Sequence, residues 1–155
     1  MLEFDIPGRE KLVVENLCLD YNGTIANNGE LIEGVKEKIL MLKDKVNIYV
    51  LTADTYHTVE KQCEGLGITV KTFDKAGAAI CKEEIIASLG ERTVAFGNGF
   101  NDIQMFNKAA LSVAVVEKEG ICAKLIQHAD IVVNSILDAF DLLLNSNRLK
   151  ATLRN

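Results

Sequence analysis

Three apolar stretches of this chain each lead into a polar residue whose type suits phosphoryl transfer. Asp20 ends the first stretch, Thr52 ends the second, and Asn98 follows the third. An aspartate can attack phosphorus as a nucleophile, a threonine hydroxyl can donate to a phosphoryl oxygen, and carboxylate or amide oxygens suit Mg²⁺. The residue types therefore predict a phosphoryl-transfer site, provided that the fold brings the three positions together.

Further residues near these positions complete the predicted site. Lys82 lies on a predicted helix before the third stretch and offers a fixed positive charge. The peptide groups around Gly23 and Ala53 can face a phosphate. Asp102 and the backbone carbonyl of Asn22 offer further oxygens to a metal ion. The predicted catalytic residues are Asp20, Asn22, Thr52 and Lys82. The predicted phosphate-binding residues are Gly23, Thr52, Ala53 and Lys82, and the predicted Mg²⁺ ligands are Asp20, Asn22, Asn98 and Asp102.

Each candidate also has a purely structural interpretation. Asp20 could cap a turn, Thr52 could cap the helix that follows its strand, and Asp54 is a still better helix cap. Lys82 could be a solvated residue on the surface of its helix. Taken singly these residues are weak signals, and it is their order along the chain and their shared position at strand ends that favour chemistry.

The elements that must position these residues alternate between strand and helix along nearly the whole chain. Runs of apolar and β-branched residues predict strands at 16–20, 46–52, 68–73, 92–96, 111–116 and 130–133. Helical spacing predicts helices at 33–44, 55–65, 76–90, 100–110, 121–128 and 135–145. Continuous apolar strands favour a parallel sheet covered on both faces, a doubly wound Rossmann-like α/β fold. Such sheets bind ligands at the carboxyl ends of their strands.

The two ends of the chain differ from this alternating pattern. Residues 1–15 predict a β-hairpin with its turn at Pro7-Gly8, and this apolar hairpin is a candidate contact in a homo-oligomer. Residues 146–155 are polar and basic, so we expect a loosely held C-terminal tail. The length predicts one domain over residues 1–155.

The bulk composition argues against several classes of function. The 155 residues carry a formal net charge of -5, whereas nucleic-acid binders show a basic footprint. No apolar stretch approaches the roughly 20 residues that span a bilayer, and the N-terminus does not resemble a signal peptide. The four cysteines form no CxxC pair and no zinc-like spacing. We expect a cytoplasmic protein with free thiols and without nucleic-acid or membrane partners.

Together, DYNGT at 20–24, LTAD at 51–54, Lys82 and GNGFND at 97–102 resemble the four motifs of the haloacid dehalogenase (HAD) superfamily. The last motif also resembles the phosphorylation domain of P-type ATPases. The full chain is similar to small HAD hydrolases described as soluble and P-type ATPase-like. The resemblance implies a Mg²⁺-dependent phosphatase that acts through an aspartyl phosphate on Asp20. It also implies a phosphorylated substrate, either a small molecule or a macromolecule.

Two residues depart from the pattern of HAD phosphatases. Asn22 stands where most of them have an acid/base aspartate, and Asn98 stands where an aspartate usually helps to hold Mg²⁺. An amide cannot shuttle a proton at neutral pH, so we expect slow turnover, and the lost charge is expected to weaken Mg²⁺ binding. The alternative is a catalytically weak module that binds a phosphorylated partner or is regulated by phosphorylation of Asp20.

The spacing of the motifs bears on access to the site. HAD caps are inserted after the first motif or between the second and the third, and here the segments 24–52 and 52–82 are occupied by predicted core elements. We therefore expect a capless protein with an open site, suited to a macromolecular phosphoester or to a small substrate enclosed by a neighbouring subunit. A response-regulator receiver domain is disfavoured, because receivers place the phosphorylated aspartate on a later strand.

Overall fold

The computed structural model describes residues 1–155 and contains ten strands, six of which form one parallel sheet. The strands are β1 Leu2–Phe4, β2 Leu12–Val14, β3 Asn16–Asp20, β4 Ala26–Asn27, β5 Glu30–Leu31, β6 Asn47–Thr52, β7 Thr69–Thr72, β8 Thr93–Gly97, β9 Leu111–Val115 and β10 Ile131–Val133. The predicted N-terminal hairpin is confirmed as the antiparallel pair β1–β2. A second small hairpin, β4–β5, was not predicted from the sequence.

The six helices cover the sheet and are connected in part by short 3₁₀ turns. They are α1 Val35–Leu42, α2 Val59–Cys63, α3 Ala78–Leu89, α4 Ile103–Lys108, α5 Ile136–Leu144 and α6 Ser146–Leu153. The helix predicted over 55–65 is reduced to α2, because Asp54 and His57 adopt left-handed backbone angles that an α-helix cannot contain. The segment predicted as a helix over 121–128 is a 3₁₀ helix, Ala123–His128.

The strand order across the parallel sheet is β10-β9-β8-β3-β6-β7. The chain enters this sheet at the central strand β3, runs outward through β6 and β7, and then returns to β8 on the opposite side of β3. The strand order therefore reverses between β3 and β8, which confirms the doubly wound prediction and identifies the place where such sheets bind ligands. Asp20 and Gly97 are the last residues of these two strands.

Burial on both faces of the sheet explains why the strands are continuously apolar. All five residues of β3 are buried, with Leu17 and Leu19 in the larger hydrophobic cluster and Cys18 in the smaller one on the other face. The larger cluster includes residues of α1, α5 and α6, and the smaller one includes residues of α3 and α4. The central strand that carries Asp20 is thus fixed from both sides.

The expectation of a loosely held tail is wrong. Residues 146–153 form α6, and Leu149 and Leu153, one helical turn apart, are buried in the larger cluster. Asn145 caps this helix by accepting a hydrogen bond from the Asn147 amide at 3.2 Å. The polar residues of the segment hid this helix in the sequence, because only one narrow face of it is apolar. No helix of the chain is both long and apolar enough to cross a membrane.

Candidate active site

Asp20 lies at the carboxyl end of the central strand, and its side chain opens onto a surface cleft. The residue is only 6% exposed. One carboxylate oxygen accepts a hydrogen bond from Lys82 Nζ at 2.6 Å, and the other accepts one from the Thr24 hydroxyl at 2.9 Å. These contacts fix the orientation of the carboxylate. The structural alternative, a simple turn cap, does not account for a carboxylate held by a buried cation.

Lys82 is an interior residue of α3 and bridges two aspartates. Its side chain is 1% exposed, and Nζ lies 2.6 Å from Asp20 Oδ1 and 2.7 Å from Asp102 Oδ1. Lys82 is therefore not a solvated surface lysine. A buried ammonium is stable only when paired, and here two carboxylates share it.

Burial and the neighbouring charges shift the pKa values of Asp20 and Lys82. Burial, and after it the negative charge of Asp102, raise the pKa of Asp20, while Lys82 and the Thr24 hydroxyl lower it, and the net result is a pKa of about 6. Burial alone would lower the pKa of Lys82, but the two carboxylates outweigh it and hold that pKa above its usual range. At neutral pH the site therefore contains an ionised Asp20 beside a positively charged lysine.

Asp102 uses both of its carboxylate oxygens within the protein. Oδ1 accepts from Lys82, while Oδ2 accepts from the backbone amides of Asn98 and Gly99 at 3.1 and 2.9 Å. A side chain at Gly97 would place its Cβ 2.5 Å from Asp102 Oδ2, so this loop requires glycine there. Asp102 thus positions Lys82 and the loop after β8, and its role as a metal ligand remains a prediction.

Gly23 was expected to offer its peptide group to a phosphate. Its amide instead donates to the Ala26 carbonyl at 2.8 Å, which leaves no free N–H at this residue. Gly23 has φ 78°, and a Cβ there would overlap the side chain of Asn98. The glycine therefore serves the close approach of the β3 loop to the β8 loop. By contrast, the amides of Asn22 and Ala53 donate to no other backbone group.

Thr52 ends β6 on the same edge of the sheet as Asp20. Its hydroxyl oxygen accepts a hydrogen bond from the Asp54 amide at 2.9 Å, so the hydroxyl proton remains available for a ligand. Asp54 Oδ1 accepts from the amides of Thr58 and Val59 and caps α2, as its structural interpretation predicted. The two residues thus have different tasks although they lie two positions apart.

A cleft of about 420 Å³ joins these elements at the carboxyl edge of the sheet. The sequence-predicted residues Asp20, Asn22, Thr52, Ala53 and Asn98 line it, and the buried Lys82 and Asp102 do not. The Asn22 side-chain oxygen is buried and has no hydrogen-bond partner. An acceptor left unpaired beside a cleft indicates a ligand or solvent group that donates to it.

Besides Gly99, sequence reasoning assigned no role to four residues that the fold places at the site. The Thr24 hydroxyl lies 2.9 Å from Asp20 Oδ2 and 3.2 Å from Asn98 Oδ1, so it connects the first and last motifs. Thr55, Phe100 and Asn101 line the cleft. All four lie within or beside the quoted motifs, but only the folded arrangement reveals which of them face the nucleophile.

Replacement of Lys82 by methionine is expected to lower the free energy of unfolding by about 3–5 kcal/mol, because it leaves two buried carboxylates without their cation. The measurement is urea denaturation in EDTA, so that no divalent cation substitutes for the ammonium. Lys108→Met is the matched control, because Lys108 is half exposed and lies 3.9 Å from Glu83, a contact worth at most about 1 kcal/mol. Equal losses in the two variants would contradict the buried bridge.

Two proteins of Methanocaldococcus jannaschii are related to parts of this chain. The uncharacterized protein MJ0073 is 49% identical over 65 residues, which are 42% of this chain and 70% of that protein. The uncharacterized protein MJ0072 is 54% identical over 39 residues, which are 25% of this chain and 89% of that protein. These identities establish relatedness, and neither name describes an activity.

Solved structures with the same fold include phosphatases of 3-deoxy-D-manno-octulosonate 8-phosphate. The cobalt-bound enzyme of Haemophilus influenzae has a TM-score of 0.71 at 15% identity and covers 92% of this chain and 94% of its own. The enzyme of Moraxella catarrhalis, in complex with a magnesium ion, a phosphate ion and a KDO molecule, has a TM-score of 0.70 at 14% identity and covers 91% of this chain and 94% of its own. The Yersinia pestis enzyme has a TM-score of 0.68 at 17% identity and covers 89% of this chain and 84% of its own. These similarities establish the fold.

The family assignment comes from the sequence match. The model of the haloacid dehalogenase-like hydrolases matches residues 2–110, which contain the central strand β3, the buried lysine and the loop after β8. The match confirms the resemblance inferred from the four motifs. The chain belongs to the haloacid dehalogenase-like hydrolase family.

Proposed function

We propose that this hydrolase is a Mg²⁺-dependent phosphatase that acts through an aspartyl phosphate on Asp20. The observation that carries the proposal is the Asp20 carboxylate itself, which opens onto the cleft while Lys82 and Thr24 hold it at 2.6 and 2.9 Å. A fixed, ionised carboxylate at the strand-order reversal of a doubly wound sheet is well placed to attack a bound phosphoryl group.

The chemistry divides into two displacements at phosphorus. The Asp20 carboxylate forms a bond to phosphorus, and the bond from phosphorus to the leaving-group oxygen breaks. The leaving group takes its proton from solvent, because the Asn22 amide has no acidic proton to give. Water then attacks the phosphorus of the aspartyl phosphate, loses a proton to solvent, and releases inorganic phosphate with the Asp20 carboxylate restored.

The phosphoryl oxygens need donors, and the cleft offers several. The free amides of Asn22 and Ala53 and the hydroxyl proton of Thr52 lie at the cleft wall. Lys82 contributes positive charge from behind Asp20. This set replaces the sequence-based assignment of the Gly23 amide, which the turn already uses. Preorganised donors of this kind are a major source of catalysis in phosphoryl transfer.

The residues at the cleft fit Mg²⁺ better than a transition metal. The Asp20 carboxylate and the side-chain oxygen of Asn98 are hard oxygen donors, and the Asn22 backbone carbonyl can complete the protein ligands. No group of three or more His, Cys, Asp and Glu side chains could hold a metal. Mg²⁺ commonly binds through one or two carboxylates, several waters and the substrate phosphate, so it needs no such group. When bound, it supplies positive charge that offsets the charge of the phosphoryl group.

The same features bear on the substrate, the cellular location and the oligomeric state of the enzyme. The cleft supports an open, capless site in a single domain, with a phosphorylated small molecule or macromolecule as the substrate. The magnesium, phosphate and sugar bound in the Moraxella catarrhalis structure support the same class of ligands for this fold. Four free cysteines support a reducing, cytoplasmic location, and the N-terminal hairpin remains the proposed contact for a homo-oligomer.

The direct test is a screen of phosphorylated metabolites and aryl phosphates for release of inorganic phosphate. We expect slow, saturable release in millimolar Mg²⁺, its loss in EDTA, and its recovery when Mg²⁺ is restored. Aryl phosphates are expected to react fastest, because their leaving groups need no proton. Release that continues unchanged in EDTA would contradict the proposed metal dependence.

A second candidate function is supported by Asn22 and Asn98. Both replace carboxylates of the usual HAD pattern, and the side chain of Asn98 is held by the Gly120 carbonyl and the Thr24 hydroxyl. A chain of this kind could be phosphorylated on Asp20 and retain the phosphoryl group as a signal. Incubation with acetyl phosphate and Mg²⁺, followed by intact-protein mass spectrometry, distinguishes the two functions. A stable phosphoprotein without turnover favours the module, and phosphate release over many cycles favours the enzyme.

A further inference from the structure

A large aromatic side chain, Phe100, lies exposed at the edge of the catalytic cleft. It is 65% exposed although it lines the same cleft as Asp20. The backbone of Phe100 lies in an ordered turn, and its ring faces one cation. Its backbone belongs to the 3₁₀ turn Phe100–Asp102, which the buried Asp102 anchors, and Lys124 Nζ lies 5.9 Å from the ring centroid. An exposed aromatic ring in the same cleft as a nucleophile is a ready surface for a bound molecule.

The remaining cleft wall carries hydrogen-bonding groups and almost no charge. Apart from Asp20, every lining residue is neutral, and five of them present side-chain amides or hydroxyls: Asn22, Thr52, Thr55, Asn98 and Asn101. The Asn22 side-chain oxygen is a buried acceptor without a donor. No cationic side chain lines the cleft, because Lys82 is buried behind Asp20. A carboxylate on a bound molecule would therefore lose its hydration without gaining an ionic partner from the wall.

We propose that Phe100 is the residue that determines leaving-group specificity, and that the leaving group is an uncharged polyhydroxylated one, as in a sugar or polyol phosphate. The inference rests on the proposed phosphatase function and adds the substrate class to it. The carbon–hydrogen face of the leaving group packs on the Phe100 ring, and a hydroxyl donates to the unpaired Asn22 oxygen. Amides and hydroxyls serve both as donors and as acceptors, which matches hydroxyl-rich ligands.

The test compares substrates that share the phosphate and differ in the leaving group. The measured quantity is kcat/KM for glucose 6-phosphate and sorbitol 6-phosphate, each divided by kcat/KM for acetyl phosphate. Phe100→Ala is expected to lower these ratios about 5- to 10-fold, the usual size of one aromatic contact. Phe100→Tyr is expected to retain them. Ile126→Ala is the matched control, because Ile126 is 44% exposed and does not line the cleft.

A carboxylated analogue tests the charge argument separately. We expect 6-phosphogluconate to be a poorer substrate than glucose 6-phosphate in the wild-type protein. A preference for 6-phosphogluconate that disappears in Lys124→Ala would overturn the proposal, because Lys124 would then be binding an anionic leaving group. Ratios that are equal in wild type and Phe100→Ala would overturn it as well.

Binding to the Asp20→Asn variant separates this inference from the proposed function. Dissociation constants for glucose 6-phosphate, sorbitol 6-phosphate and inorganic phosphate are measured by calorimetry in Mg²⁺, with and without Phe100→Ala. We expect the two sugar phosphates to bind more tightly than inorganic phosphate, and we expect Phe100→Ala to abolish this difference in affinity. That result supports a leaving-group site at Phe100 even if the wild-type protein shows no turnover. No such advantage, or no binding of the sugar phosphates, overturns the inference, whether or not aryl phosphates are hydrolysed.

Discussion

The Asp20→Asn variant is expected to lose Mg²⁺-dependent phosphate release, with kcat/KM lowered by at least about 10³-fold. The amide that replaces the carboxylate is a poor nucleophile, and no other carboxylate lines the cleft. The measurement is the initial rate with an aryl phosphate at saturating Mg²⁺. A parallel incubation with acetyl phosphate is expected to phosphorylate the wild-type protein and not the variant, as read by intact mass.

Asp74→Asn is the control for this experiment. Asp74 is exposed, lies in the neighbouring hollow on the same edge of the sheet, and does not line the catalytic cleft. The same chemical change at this position is expected to leave the rate within about twofold, as is usual for surface substitutions. If Asp20→Asn retained wild-type activity with the metal present, the nucleophile would have to be assigned elsewhere.

Restoring a carboxylate at position 22 is expected to have the opposite effect. In Asn22→Asp, the new side chain can protonate the leaving group and then activate water, and general acid–base help of this kind typically contributes about 10²–10⁴-fold. The gain is expected to be greatest for alkyl phosphates, because aryl leaving groups depart without a proton. The phosphoprotein formed from acetyl phosphate is expected to become shorter-lived, because water is now deprotonated as it attacks.

The matched control is Asn107→Asp, which adds the same charge on an exposed position of α4 away from the cleft. It is expected to leave the rate of every substrate unchanged. An Asn22→Asp variant with wild-type rates for both alkyl and aryl phosphates would show that residue 22 does not face the leaving group. The assignment of the first motif would then need revision.

The sequence predicted the parallel sheet and the strand-end positions well, because continuous apolar strands have few alternatives and their carboxyl ends must share one edge. Asp20, Thr52 and Asn98 accordingly line one cleft. The double ion pair of Lys82 could not be predicted, because it depends on the side of the sheet on which α3 packs. The same holds for the Gly23 amide, whose acceptor is the carbonyl of Ala26 in the turn.

The remaining differences between the predicted and the observed secondary structure have a common physical origin. The α6 helix was missed because a few buried leucines outweigh a polar composition once they contact the core, and Leu149 is completely buried. The β4–β5 hairpin was missed because its strands have only two residues each. It is secured by long-range bonds, such as the one from the Leu31 amide to the Gln62 side-chain oxygen at 3.1 Å. Long-range contacts of this kind override local sequence preference.

The position of β8 beside β3 has a consequence for the growing polypeptide. β3 leaves the ribosome before β8, so its second edge pairs with β8, and Asp20 joins Lys82 and Asp102, only after residues 82–102 have emerged. Until then the nascent chain carries an apolar strand with one unpaired edge, a template for wrong pairing. The pairing of the second edge of β3 and the completion of the catalytic centre therefore depend on the same segment, and no shorter intermediate of synthesis holds an assembled site.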